Sequence, residues 1–437
     1  MNNVAIPSLT DLSLQIISKI NKDISVFKTK AANTLFSSFE RIDFNKFQYG
    51  QNYKLINSSI RNHIYSLHKI GRLYKFRINN RNISLYIIFP VYSLKKTKYT
   101  QNNRSIKNNK TSKNRISKDY QTILQNVYSI LLIFIENQSN QPSINCSNNL
   151  TIYLYLTNLK KTLPKSTGEN NIGETNVNTG FTFGCSFTNE IFIYRKEEWE
   201  KVFIHELIHA FGLDFASHPE LNNMANSHMV SFFNMQSPEN KKDLRLYEAY
   251  TETWATILNI IFQCVSLKNQ NGYSMILNKI NIQQLWSINQ YIKIMDFYEL
   301  HGSIFDNETQ LILKEQVTLY SYYILKCRML FYINDFFEFC VNKKGKYSET
   351  IDIIDFEKSK EMTKKYIQFI FNKVYCKTGK DLFETAILTF QEKRNMANFY
   401  YLPNNLVERK KKGFFLFSKE RDKELIEDLK YSLKMTS

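Results

Sequence analysis

Glycine and proline are scarce, 12 and 7 residues in 437, so the chain contains no collagen-like repeat and no long Gly- or Pro-rich linker. The six cysteines, Cys146, Cys185, Cys264, Cys327, Cys340 and Cys376, include no CxxC pair, which argues against a cysteine-ligated zinc site and a dense disulfide framework. They read as reduced core thiols in a cytosolic setting. The longest apolar run, Val127 to Ile135, falls far short of a bilayer span. The N-terminus lacks the basic and apolar regions of a secretory signal, so a cytoplasmic, non-secreted protein is expected. Acid is also in deficit: 40 Asp and Glu face 58 Lys and Arg, a formal net charge of +18. Asn, Ile, Lys, Tyr and Phe are all abundant, the bias of AT-rich coding, which weakens the positive balance as evidence for nucleic acid.

Hydrophobic residues at 43% and aromatics at 14% exclude wholesale disorder, and the length suffices for two or three domains. Residues 9 to 70 have helix-like spacing, for instance Leu12, Ile16, Ile17 and Ile20, and Ile83 to Val91 is a β-rich run. Lys95 to Lys118 carries nine basic residues and no acid, the composition of a solvated, disordered insert. Residues 120 to 136 return to helical spacing, and 150 to 156 alternate as a strand. Strands are expected at about 179 to 187 and 190 to 195, with Thr188-Asn189 as the hairpin turn. Beyond residue 244 the pattern is helical, in segments 244 to 266, 275 to 297, 307 to 342, 355 to 375 and 380 to 396. The expected organisation is an N-terminal helical segment (1–70), a mixed α and β domain (71–270) holding the insert, and a helical C-terminal domain (271–437).

The chemistry is concentrated in His205-Glu206-Leu207-Ile208-His209. Two His four residues apart on an α-helix point about 40° from each other around its axis, one turn apart, and so reach one Zn2+. Glu206 lies about 100° from the first His and 60° from the second. From there a carboxylate reaches a water beside the ion without becoming a ligand, which is where a general base belongs. Val202, Phe203, Ile204, Leu207, Ile208 and Phe211 make this helix apolar around most of its circumference, and Gly212 closes it. With 7 His and 40 acids in the chain, random placement yields such a motif in about one chain per hundred.

A catalytic zinc needs a third protein ligand. HExxHxxGxxH is matched through Gly212 but has Phe215 at its last position; Asp214 stands one residue early and His218 three late. The better source is Tyr247-Glu248-Ala249-Tyr250-Thr251-Glu252, whose two carboxylates also share a helical face. One can bind the ion while the other fixes a histidine ring.

With these residues the chain resembles the gluzincin metallopeptidases, the lethal-factor branch in particular, over about residues 180 to 256. The resemblance implies an α+β, zincin-like catalytic domain with a small mixed sheet and an active-site helix, followed by a mainly α-helical region. It implies one Zn2+ held by His205, His209 and Glu248, with Glu252 as the supporting acid and Glu206 as the base. A Tyr or His often assists the oxyanion in that family, and Tyr247, Tyr250 and His228 are the residues available. Gly180, Phe181, Thr182, Phe183 and Gly184 would form the sheet edge on which an extended peptide substrate lies. By composition and over Thr179 to Asp214 the chain also resembles uncharacterised proteins of large DNA viruses. Two other readings compete. One is a metal-binding scaffold without turnover, acting as a structural or interaction protein. The other is a nucleic-acid-associated protein using Lys95 to Lys118 and Arg409-Lys410-Lys411-Lys412 as phosphate contacts.

Overall fold

The computed structural model describes residues 6–36, 38–91, 105–136, 145–164, 172–232, 245–265, 272–298, 319–341, 349–372 and 381–397, with only the backbone for 105–116 and 393–397. The chain is α+β with one mixed six-stranded sheet, in the order β1-β2-β3-β4-β6-β5. Helix α1 (Asp11–Asn33) starts where the Thr10 hydroxyl accepts from Ser13 N–H, and it buries Ile16, Ile17, Ile20, Ile24 and Phe27 along one stripe. A two-residue strand β1 (Glu40–Arg41), a 3-10 turn (Tyr53–Leu55) and α2 (Ser58–Ser66) lead into the hairpin β2 (Lys69–Ile78) and β3 (Arg81–Pro90). Asn79 takes the left-handed conformation, φ 51°, that such a tight turn needs.

From β3 the long helix α3 (Ser105–Ile135) crosses to β4 (Asn149–Tyr155), parallel to β3. The short α4 (Glu174–Val177) and β5 (Gly180–Thr182) then precede β6 (Thr188–Ile193), which lies parallel to β4 and antiparallel to β5. Helices follow: α5 (Trp199–Ala210), α6 (Pro219–Phe232), α7 (Leu246–Cys264) and α8 (Gly272–Phe297). After a π-helical turn (Tyr320–Leu325) come α9 (Lys326–Phe331), α10 (Ile333–Val341), α11 (Thr350–Ile354), α12 (Lys360–Phe371) and α13 (Leu382–Ala397).

Strand alternation gives the sheet two unlike faces. Leu85, Ile87, Ile152, Leu154, Ile191 and Ile193 enter the main core, a continuous cluster from Ile16 to Phe390 in which α1 lies against α3, α7 and α10. On the opposite face Tyr86, Tyr153, Phe192 and Phe181 occupy one register position across β3, β4, β6 and β5. Their rings stack in turn with centroids 4.8, 4.8 and 5.9 Å apart, and Tyr53, Ile56, Ile60 and Ile64 cover this second cluster. Among the described residues no helix is long and apolar enough to cross a membrane.

Four expectations are corrected. Strand β2 begins inside the segment read as helical, because its Lys and Arg side chains mask the alternation. The β5–β6 connection is 183 to 187, and Thr188-Asn189 opens β6 rather than forming the turn. Residues 105 to 118 of the basic stretch lie in α3 and not in a loop; 95 to 104 fall outside the described residues. Cys146 and Cys185 form a disulfide, whereas Cys264, Cys327 and Cys340 are buried free thiols as expected. Cys376, the Arg409 to Lys412 cluster and residues 307 to 318 fall outside the described residues.

Candidate metal centre

Helix α5 is buried at every residue from Lys201 to Ala210. Its C-terminus is a Schellman turn: Gly212 N–H donates to His209 O and Leu213 N–H to Ile208 O, both at 2.9 Å, with Gly212 at φ +63°. A side chain there would be left-handed, and its Cβ would stand 3.0 Å from Cys185 Cβ. The turn returns the chain so that Asp214 lies beneath His209.

His205 and His209 present Nε2 atoms 3.0 Å apart, and Glu248 Oε2 lies 3.1 and 3.2 Å from them. Donors around a tetrahedral ion with bonds of about 2.0–2.1 Å stand about 3.3 Å apart, so this triangle has the size of one face of such a shell. Behind the rings, His205 Nδ1 is 2.9 Å from Glu252 Oε2, and His209 Nδ1 is 2.5 Å from Asp214 Oδ2. A carboxylate accepts, so a neutral ring in either position carries its proton on Nδ1 and offers its Nε2 lone pair to the cluster. In that tautomer two Nε2 atoms and a carboxylate oxygen converge as the ligands of one cation do. Among the described residues these three form the only group of His, Cys, Asp or Glu close enough to hold a metal ion.

The supporting carboxylates are themselves held. Asp214 also accepts from Thr251 Oγ1 at 2.8 Å and Ala216 N–H at 3.0 Å, while Lys201 Nζ stands 2.6 and 2.7 Å from the two oxygens of Glu252. Burial opposes charge on the imidazoles, yet hydrogen bonds to Glu248 and Glu252 draw His205 above its ordinary pKa, and the charges of Asp214 and Glu248 draw His209 well above. Burial would raise the carboxylates. Instead His209 holds Glu248 and Asp214 below their usual range, and Lys201 does the same for Glu252.

Glu206 behaves differently. Burial pushes its pKa up, the charges of His205 and His209 offset this only in part, and its carboxylate has no hydrogen-bond partner among the described residues. Edge strand β5 passes directly over it: a Cβ on Gly180 would lie 3.0 Å from Glu206 Oε1 and 2.7 Å from Val202 Cγ1. Glycine is what lets the strand come this close. Along the same edge Phe181 stacks on Phe192, Thr182 Oγ1 donates to Glu190 O at 2.8 Å, Phe183 is exposed, and Gly184 lies against Ser217.

The oxyanion candidates separate. The Tyr247 ring meets His209 edge-on with centroids 5.9 Å apart. Tyr250 points the other way, its hydroxyl donating to Ile354 O at 2.6 Å among Phe336, Phe356 and Tyr366. His228 is exposed on α6. Sequence reasoning missed Tyr322, on the π-helical turn, whose ring lies 6.1 Å from that of His205. It also set Asp214 aside as a ligand without seeing it as the partner of His209. Lys201 was legible as the residue one turn before His205, whereas Tyr322 had no local signal.

No family model, no curated protein and no solved structure matches this chain.

Proposed function

We propose that this chain is a zinc-dependent endopeptidase of zincin-like architecture, with one Zn2+ held by His205, His209 and Glu248 and with Glu206 as general base. The observation that carries this reading is the convergence of two imidazole Nε2 atoms and a carboxylate oxygen within 3.0 to 3.2 Å, each imidazole backed by its own carboxylate. Bound there, such an ion supplies Lewis acidity, polarising a scissile carbonyl and lowering the pKa of a water.

The protein residues do the rest. Glu206 takes a proton from the attacking water and delivers it to the leaving amine. Glu252 and Asp214 keep the imidazole tautomers fixed. An extended peptide pairs with β5 by strand addition, the absent side chain of Gly180 leaving its backbone beside Glu206. Tyr247 and Tyr322, whose rings meet His209 and His205 edge-on, are the phenols offered to the developing oxyanion.

The test is a pair of measurements on the full chain. Glu206→Gln should lower peptide hydrolysis by about 10²–10⁴-fold while zinc remains stoichiometric. Unchanged turnover refutes the assigned base, and zinc bound without peptide cleavage by the unmutated chain refutes the peptidase in favour of a scaffold.

A further inference from the structure

The metal cluster is backed by a feature that ligand chemistry alone does not require. Glu252, fully buried, meets two ammonium groups that are themselves only 1% exposed: Lys201 Nζ at 2.6 and 2.7 Å, and Lys326 Nζ at 3.8 Å. Burying even one lysine is costly, and a buried ion pair seldom adds net stability over a well-packed apolar pair. The placement is specific. Lys201 precedes His205 by one turn of α5, and Glu252 follows Glu248 by one turn of α7, so the two helices face each other through matched rows. One Glu252 oxygen faces both Lys201 and Lys326; the other faces Lys201 and accepts from His205 Nδ1. Lys326 opens α9, immediately after the π-helical turn that carries Tyr322.

We propose that Lys201 and Lys326 are positioning residues of the metal centre, whose ammonium groups hold the Glu252 carboxylate aimed at His205 Nδ1 so that Nε2 is presented to the metal. This rests on reading His205, His209 and Glu248 as a metal site and does not depend on peptidase activity. Lys201 supplies the larger part, because it bridges both oxygens at hydrogen-bonding distance. Lys326 supplies a weaker part and ties the C-terminal half of the chain to the same carboxylate.

The experiment measures the zinc dissociation constant of the full chain at neutral pH by competition with a chromophoric chelator. Lys201→Met should weaken zinc binding by about 10- to 100-fold, the usual cost of losing an outer partner of a ligand. Lys201→Arg, which keeps the charge, should recover most of that loss. In a Glu252→Gln background Lys201→Met should have almost no further effect on affinity, because the carboxylate that Lys201 bridges is gone. A purely structural salt bridge would lower the denaturation midpoint of Lys201→Met and leave its zinc affinity unchanged. Should Lys201→Met fail to fold, Lys326→Met is read instead, with a smaller weakening expected. A folded Lys201→Met, or failing that Lys326→Met, with unchanged affinity overturns the proposal, as does full additivity with Glu252→Gln. An unmutated chain that binds no zinc overturns the metal reading as well, so the two failures are distinguishable.

Discussion

The two faces of the sheet bury their contents by opposite means. On one, Tyr86, Tyr153, Phe192 and Phe181 stack across four strands beneath Tyr53, Ile56, Ile60 and Ile64, and the gain is area removed from water plus ring-on-ring geometry. On the other, beyond a layer of Ile and Leu, helices α5 and α7 and the turn after α5 bring together His205, Glu206, His209, Asp214, Glu248, Glu252 and Lys201. Charges in such a place seldom repay their desolvation, so their retention points to chemistry instead of stability. The aromatic face should therefore govern whether the chain is folded, and the charged layer whether it binds metal.

The largest effect that separates them is expected on the aromatic side. Tyr153→Ala removes the ring stacked between Tyr86 and Phe192 and should cost about 3–5 kcal/mol in chemical denaturation while leaving zinc affinity unchanged. A matching loss of affinity would show the faces to be coupled. Next, opening the Cys146–Cys185 bridge, a loop closure across 39 residues, should cost about 2–4 kcal/mol, seen as a lower denaturation midpoint for the double Cys→Ala variant. The reverse dissociation is expected from Asp214→Asn: about 10- to 100-fold weaker zinc binding, read by chelator competition, at small cost to the fold.

Some of this arrangement was legible in the sequence and some was not, for reasons that concern chain distance. His205, Glu206 and His209 lie within one stretch of helix, and Glu248 and Glu252 repeat at helical spacing, so periodicity alone groups them. Tyr250 illustrates the limit of proximity. Two residues beyond Glu248 is about 200° around a helix, and its hydroxyl accordingly meets Ile354 on the far side. Asp214 reaches His209 only through the Schellman turn at Gly212, a geometry that the glycine hinted at without specifying. Lys326 and Tyr322 come from a π-helical turn and the helix after it, some 70 residues past Glu252, where nothing local marks them. Strand β2 was hidden by its Lys and Arg, and the disulfide by cysteines 39 positions apart.

The smallest expected effect is in pH. Burial lowers Lys161 and Lys326 from 10.5 to about 8, against the pull of Glu198 and Glu252 respectively. A depressed lysine destabilises the fold where it must stay charged, so its contribution to stability is present above about 10.5 and lost as pH falls through about 8. Buried tyrosines act in the opposite sense: burial raises Tyr153 and Tyr194, and their contribution is lost as pH rises beyond the unfolded value of 10.0. The denaturation midpoint should rise modestly between pH 8 and 10 and fall above it. A monotonic decline from pH 8 would show that burial does not depress these lysines.

The central claim, one divalent ion among three convergent donors, is tested most directly by elemental analysis of the purified full chain beside a His205→Ala, His209→Ala double variant. One zinc per unmutated chain and none in the variant is the predicted result. No metal in the first, or equal metal in both, contradicts the account.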